Sequence, residues 1–180
     1  MRKVIIQNME KVKKIVPIIE EKIKIKISLG KGYVILKGDE LNEFLSEEII
    51  SAVDFGFYVD DALLIKNQDF ILEFIDIKKF TRRKNLKEVR ARLIGKKGKA
   101  KKTIENLTGS IIVINNNKVG VIVDSAHLDV VTQAIESLVR GAKHSNVFAY
   151  LEKQNTSRQK FDKEDLGLKE NIKNKNKLLK

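Results

Sequence analysis

The amino-acid sequence predicts an α+β chain of two tandem units, each a three-stranded antiparallel sheet packed against helices, with a basic tail behind them. Three observations predict it. Short runs of alternating or continuous apolar residues recur between turn residues at 25–29, 33–36, 111–114 and 119–123. Apolar residues at helical spacing fill 9–23, 41–55 and 128–138. The two halves also repeat at a constant offset of 87, which aligns Ile25 with Ile112, Ile27 with Ile114, Val34 with Val121, Ile35 with Ile122 and Leu41 with Leu128.

In order, residues 2–7 read as a short strand. Met9, Val12, Ile15, Val16, Ile19 and Ile23 then mark a helix, in which Pro17 predicts a kink or the true start. A strand at Ile25–Leu29, the turn Gly30-Lys31-Gly32 and a strand at Tyr33–Leu36 follow. Leu41, Phe44, Leu45, Ile49, Ala52 and Val53 form the inward stripe of a helix that stops near Gly56. Its acids Glu43, Glu47 and Glu48 make it a candidate partner face, with solvation the plainer explanation of Glu47-Glu48 and of Asp60-Asp61.

Val59–Ile65 reads as a short connecting helix and Phe70–Ile77 as a strand. Leu86, Val89 and Leu93 mark a short helix arriving at Gly95. A second short helix turns Ala100, Ile104 and Leu107 inward and Lys99, Lys101 and Lys102 largely outward, and Thr108-Gly109 stops it. The strands at 111–114 and 119–123 and a helix from Leu128 to Gly141 complete the second unit. The domain boundaries are drawn at 1–66, 67–152 and 153–180. The last segment reads as a flexible basic tail with a helical turn around Leu166–Ile172.

Hydrophobic residues make up 42% of the 180, enough for a packed core. The absence of cysteine excludes disulfides, zinc ribbons and thiol chemistry. No signal-like or membrane-length apolar run is present, so a cytoplasmic protein without membrane contact is expected. His127 and His144 have no acid cluster at ligand spacing, and Ser125 and Ser145 have no neighbouring base. No metal, cofactor or enzyme activity is therefore expected.

Charge is concentrated. Residues 78–102 carry 13 Lys/Arg against Glu88 alone, a surplus of 12 that equals the net +12 of the whole chain. A compact basic segment in an otherwise balanced protein is the footprint of a polyanion partner. At its centre lies Ile94-Gly95-Lys96-Lys97-Gly98. Two glycines three apart let the backbone turn tightly and approach a ligand, and a helix start behind them favours an anion. At the repeat offset this place is taken by Asn8-Met9-Glu10-Lys11, so the first unit lacks the turn and the short helix before it.

A glycine turn between two short helices, followed by strand, loop, strand and helix, resembles the type I KH domain, βααββα. The chain as a whole is read as two KH-like units, the first degenerate. The segments LIGKKGKAKKTIENLTG, Gly141-Ala142-Lys143-His144 and Val147-Phe148-Ala149-Tyr150-Leu151-Glu152 are similar to one family, the small-subunit ribosome assembly factors known as partner of the NOB-one endonuclease. Ala62-Leu63-Leu64 through Phe74-Ile75-Asp76-Ile77 is similar to that family's inter-domain join. The basic two-copy layout suits an archaeal member.

The resemblance implies binding of single-stranded RNA near the 3′ end of small-subunit rRNA. It further implies assistance to the pre-rRNA maturation endonuclease or another assembly factor, by a monomer in solution. Gly95–Gly98 would clamp the sugar–phosphate backbone while Lys96 and Lys97 neutralise phosphates. Ile94 with Ile112 or Ile114 would floor the bases. Lys99, Lys101, Lys102, Arg90, Arg92, Arg82, Arg83 and Lys84 would extend the track. The alternative is a general RNA-binding adaptor that docks a protein through its first unit.

Overall fold

The chain, a computed structural model, is described for the backbone of residues 1–165 and the side chains of residues 1–156. The first unit runs β1 (Arg2–Ile5), α1 (Met9–Ile23), β2 (Lys26–Leu29), β3 (Tyr33–Lys37) and α2 (Glu40–Phe55). A short helix α3 (Val59–Ala62) and the 3₁₀ turn Leu63–Lys66 lead into β4 (Phe70–Asp76), α4 (Ile77–Phe80) and α5 (Leu86–Ile94). After the glycine turn come α6 (Lys99–Thr108), β5 (Ile111–Asn115), β6 (Lys118–Asp124), α7 (Leu128–Arg140) and α8 (His144–Asp165). Two three-stranded antiparallel sheets result, as the sequence predicts, and their strand orders are β1-β3-β2 and β4-β6-β5.

The internal repeat is present in three dimensions, but its offset is 85, not 87. Ile27 pairs with Leu36 as Ile112 pairs with Val121. Glu20 Oε1 accepts the Ile27 N–H at 2.8 Å, and Glu105 Oε1 accepts the Ile112 N–H at 2.8 Å. The buried Ser46, Ile49, Ile50 and Val53 of α2 stand at the places of Val131, Ala134, Ile135 and Leu138 of α7. Upstream, Val4 faces Val34 and Ile75 faces Val119, an offset of 71. The first unit is therefore 14 residues shorter between its first strand and its long helix. Gly95–Gly98 then corresponds to Glu10-Lys11-Val12-Lys13, a continuous turn of α1.

Pro17 neither starts nor interrupts α1. The helix begins at Met9, where Asn8 Oδ1 accepts the Lys11 N–H, and Asp54 accepts the N–H groups of Gln7 and Asn8 at 2.6–3.1 Å. Val12, Ile15, Val16, Ile19 and Ile23 are buried on both sides of the proline. That packing outweighs the roughly 3 kcal/mol an interior proline costs.

The inward face of α2 is also rotated from its expected position. Leu41 and Phe44 are 52% and 44% exposed, while Glu43, Ser46 and Ile50 lie inside. Glu43 accepts the Gly38 N–H and pairs with the Met1 ammonium at 2.8 Å, so its carboxylate is satisfied inside and not on the exposed face where it was expected. Glu47 pairs with Arg2, whose guanidinium lies 5.5 Å from the centroid of the Phe44 ring. Two of the acids expected on a partner face are thus engaged within the first unit.

The second sheet is covered on both faces. Ile75, Ile112, Val119 and Val121 pack under α5, α6 and α7. On the opposite face Leu72, Ile111, Val113 and Ile122 meet Phe55, Phe57, Val59 and Leu63 of the first unit. Gly120 makes this contact possible: a Cβ there would lie 2.7 Å from the Phe57 ring and 2.8 Å from the Phe55 ring. Ile77 opens α4 instead of ending a strand, its N–H donating to Asn117 O at 2.9 Å. Helix α8 was not expected. Val147 and Leu151 anchor it to the second core, and it runs to Asp165, through the start of the segment read as a tail. The turn expected at Leu166–Ile172 lies outside the described residues.

Candidate nucleic-acid interface

The glycine turn is built by three residues in left-handed backbone. Helix α5 closes with the Gly95 N–H donating to Ala91 O at 2.8 Å, and the Gly98 N–H donates back to Gly95 O at 3.1 Å. Gly95 has φ 74°, Lys97 55° and Gly98 76°. At Gly95 a side chain is excluded twice, since a Cβ would also sit 2.5 Å from the Ala100 Cβ and 2.7 Å from its backbone nitrogen. At Gly98 nothing lies within 4 Å, so the requirement there is conformational alone. Lys97 holds a left-handed conformation that costs about 1 kcal/mol or more for a residue with a Cβ.

This turn presents Lys96 and Lys97, both exposed, at the start of α6. No side chain caps that helix; the Lys99 N–H donates to Lys96 O, and the positive dipole end of the helix faces the turn. Lys99 and Lys102 are exposed beside them. Lys101 is different: half-buried, it pairs with Glu105 at 3.3 Å and closes over a narrow apolar crevice of about 10 Å³ between Leu93, Ile104, Ile112 and Ile114. The expectation that all three lysines point outward is corrected accordingly. Ile112 is 3% exposed and forms the crevice bottom, Ile114 is half-buried, and Ile94, 40% exposed, stands beside the glycines. Exposed Lys96, Lys97, Lys99 and Lys102 at the turn and helix start, with Ile94 and Ile114 as the accessible apolar side chains, make this the candidate groove.

Two expected phosphate ligands are committed elsewhere. Arg90 donates to Asn116 O and Asn117 Oδ1 at 3.0 and 3.1 Å. Arg92 donates to Leu138 O and Ala142 O, while its own carbonyl accepts from His144 Nε2 at 2.9 Å. These arginines fasten α5 to the β5–β6 loop and to the end of α7. Arg82, Arg83 and Lys84 are exposed but precede α5, about 12 Å from the glycine turn along its axis. Arg83 lies close to Gly141, at the end of α7. They make a second basic patch apart from the groove.

Glu105 escaped the sequence reading. It ties α6 to β5 and turns Lys101 toward the crevice, and the shared Glu-x₆-Ile spacing of the two repeats (Glu20/Ile27, Glu105/Ile112) is the signal that marks it. Among the described residues no group of three His, Cys, Asp or Glu is placed to hold a metal ion, and no helix is long and apolar enough to cross a membrane.

Comparison with known proteins agrees with this geometry. Residues 71–156 match the family model for the eukaryotic type KH domain, KH-domain type I, in its PNO1 second-domain form. A KH domain-containing protein of Methanocaldococcus jannaschii is 30% identical over 153 residues, covering 80% of this chain and 67% of the relative. The pre-rRNA-processing protein PNO1 of Debaryomyces hansenii is 31% identical over 107 residues, 58% of this chain and 42% of that protein. The chain thus spans well under two thirds of this fungal relative. Among solved structures, Dim2p of Pyrococcus horikoshii superposes with a TM-score of 0.76 at 26% identity, covering 84% of this chain and 98% of that one. A chain of the a/eIF2alpha–aDim2p–rRNA complex from the same organism gives 0.77 at 26% identity, covering 87% and 94%. With a glycine turn, helix start and apolar crevice in KH arrangement, and an archaeal relative matched over most of both chains, this protein belongs to the PNO1-type KH-domain family.

Proposed function

We propose that this protein is an rRNA-binding assembly factor. It holds a single-stranded stretch near the 3′ end of the small-subunit rRNA precursor and assists its maturation in the cytoplasm, beside the maturation endonuclease or another assembly factor. One observation carries the reading: the Gly95–Gly98 turn and the start of α6 present four exposed lysines beside exposed Ile94 at the centre of the chain's charge surplus. The relatives support it, one being described as a pre-rRNA-processing protein and another structure containing aDim2p together with rRNA.

In this reading the glycines bring the backbone against the sugar–phosphate chain of about four nucleotides. Lys96 and Lys97 meet the phosphates, Lys99 and Lys102 continue the track, and Ile94 and Ile114 floor the bases, with Ile112, 3% exposed, buried beneath them. A general RNA-binding adaptor is the second reading. It is favoured by the bare outer face of the first sheet, where Ile5 is 80% exposed beside half-buried Tyr33 and Ile35.

The test is the double substitution Lys96→Asp with Lys97→Asp. It should abolish binding to a single-stranded oligomer from the small-subunit rRNA 3′ region and leave the thermal melt within a degree or two. Binding by the unchanged protein should weaken with salt at a log–log slope of roughly −3, as about four phosphate contacts require. Retained affinity in the double variant would remove the groove from the proposal. Crosslinks spread evenly over cellular RNA would favour the adaptor.

A further inference from the structure

The β5–β6 hairpin has a groove side and an inner side. Ile112 and Ile114 face the groove, while Ile111, Val113 and Asn115 face the first unit, where Asn115 Nδ2 donates to Phe55 O at 2.8 Å. Between the hairpin and the first unit lies a recess of about 320 Å³. Gln7, Phe55, Asn115, Asn116, Asn117 and Lys118 line it, with Asp76 and Lys78 completing the lining. A shallower recess continues it past Asp54 and Phe74 and shares Gln7, Phe55 and Lys118. The Phe55 and Phe74 rings stand 4.8 Å apart.

The chemistry of this lining is specific. Four side-chain amides converge, each able to donate and accept. Asn115 keeps its carbonyl oxygen after bonding Phe55, and Asn117 keeps its amide nitrogen after accepting from Arg90. The Gln7 and Asn116 side chains, and the ammonium groups of Lys78 and Lys118, have no hydrogen-bond or ion-pair partner among the described residues. Asp54 and Asp76 would repel a phosphate inside the recess but accept from the exocyclic amine of a base. Amides around an aromatic wall, with cations nearby, suit an unpaired nucleobase whose phosphates stay outside. At the low end of small-ligand pocket volumes, the recess holds one base with its sugar.

We propose that this recess is a base-binding subsite for a nucleotide flanking those held in the glycine-turn groove. The inference rests on the groove reading and extends it. Consecutive residues of β5 serve the two places from opposite faces, Ile114 on the groove side and Asn115 in the recess, so a bound strand passes between them around the hairpin tip. Arg90 reaches from α5, the helix that ends at Gly95, and fixes Asn116 and Asn117 in the hairpin tip. A strand leaving the groove over this tip passes Lys118 and delivers its next base to the amides.

The experiment compares four- and eight-nucleotide single-stranded oligomers from the small-subunit rRNA 3′ region, using the full chain and the Gln7→Ala/Asn116→Gly variant. Glycine is chosen because Asn116 has φ 50° at the hairpin tip, and neither side chain has a hydrogen-bond partner among the described residues. The octamer should bind the unchanged protein about tenfold more tightly than the tetramer, and the variant should lose that gain while keeping tetramer affinity. A single abasic position beside the core tetranucleotide should reproduce the loss in the unchanged protein and add nothing in the variant. 4-Thiouridine at that position should crosslink to Gln7 or to residues 115–118. Equal affinity for both oligomers, an unaffected variant, or crosslinks confined to residues 94–104 would overturn the subsite while tetramer binding persists. Loss of tetramer binding to the unchanged protein would instead overturn the groove reading, and this inference with it.

Discussion

Substituting alanine at Gly120 tests how firmly the two units are joined. The new methyl group would fall 2.7 and 2.8 Å from the Phe57 and Phe55 rings, so each must retreat by about 0.6–0.7 Å to reach ordinary contact at 3.4 Å. Phe57 has no slack, and Phe55 can yield only toward the recess it lines. Phe57 is 4% exposed, and Phe55 is held between Phe57 at 6.2 Å and Phe74 at 4.8 Å. Overpacking of this kind costs about 1–3 kcal/mol. Against it stands a gain of about 0.4–1 kcal/mol from the narrower unfolded ensemble of alanine, so the clash wins by about 1–2 kcal/mol. For a chain of this length that lowers Tm by about 2–8 °C, read by calorimetry on the full protein. The counterpart position in the repeat carries Ile35, on a sheet face that no other unit covers. An unchanged or raised Tm for Gly120→Ala would refute the tight inter-unit contact.

Three further outcomes are expected. Ser46→Ala should raise Tm by about 2–4 °C, because the buried Oγ has no hydrogen-bond partner among the described residues and the repeat places Val131 there; a fall in Tm would show that the hydroxyl is used. Arg92→Lys should cost about 1–2 kcal/mol in chemical denaturation by loosening α5 from the Leu138 and Ala142 carbonyls, yet leave the salt slope of RNA binding unchanged; a shallower slope would return Arg92 to the phosphate track. The Glu43 carboxyl is held below its ordinary value of 4.5, chiefly by its hydrogen bond with the N-terminal ammonium. A depressed folded-state value means stabilisation that is present above that ordinary value and lost as pH falls through the depressed one. Glu43→Gln should therefore flatten the decline of Tm below about pH 4.5, and parallel curves would count against the pair.

What could be read from the sequence followed from short-range pattern. Alternation placed the inner strand positions Ile27, Val34, Ile112 and Val121, and glycine spacing placed the turn at 95–98. The repeat offset was missed by two residues for a physical reason. Side chains alternate with period 2 along a strand, so offsets of 85 and 87 bury the same faces, and the Glu20 and Glu105 ties are needed to choose. The remaining errors came from partners remote in sequence. Glu43 is buried because Met1 and Gly38 reach it, and Arg90 and Arg92 leave the candidate track because carbonyls 26–50 residues away accept from them. Helix α8 was hidden by its composition, since Val147 and Leu151 are its only fully buried side chains through residue 156.

The doubly covered second sheet has a consequence for how the chain can be divided. An antiparallel sheet commonly leaves one face to water, and this one does not. Cutting between residues 66 and 67 would expose Leu72, Ile111, Val113 and Ile122 on one fragment and Phe55, Phe57, Val59 and Leu63 on the other. The half that retains the glycine turn would carry an adhesive apolar plate and associate with copies of itself. The unit without a glycine turn thus serves as the other's permanent solvent shield, and the chain is best handled undivided.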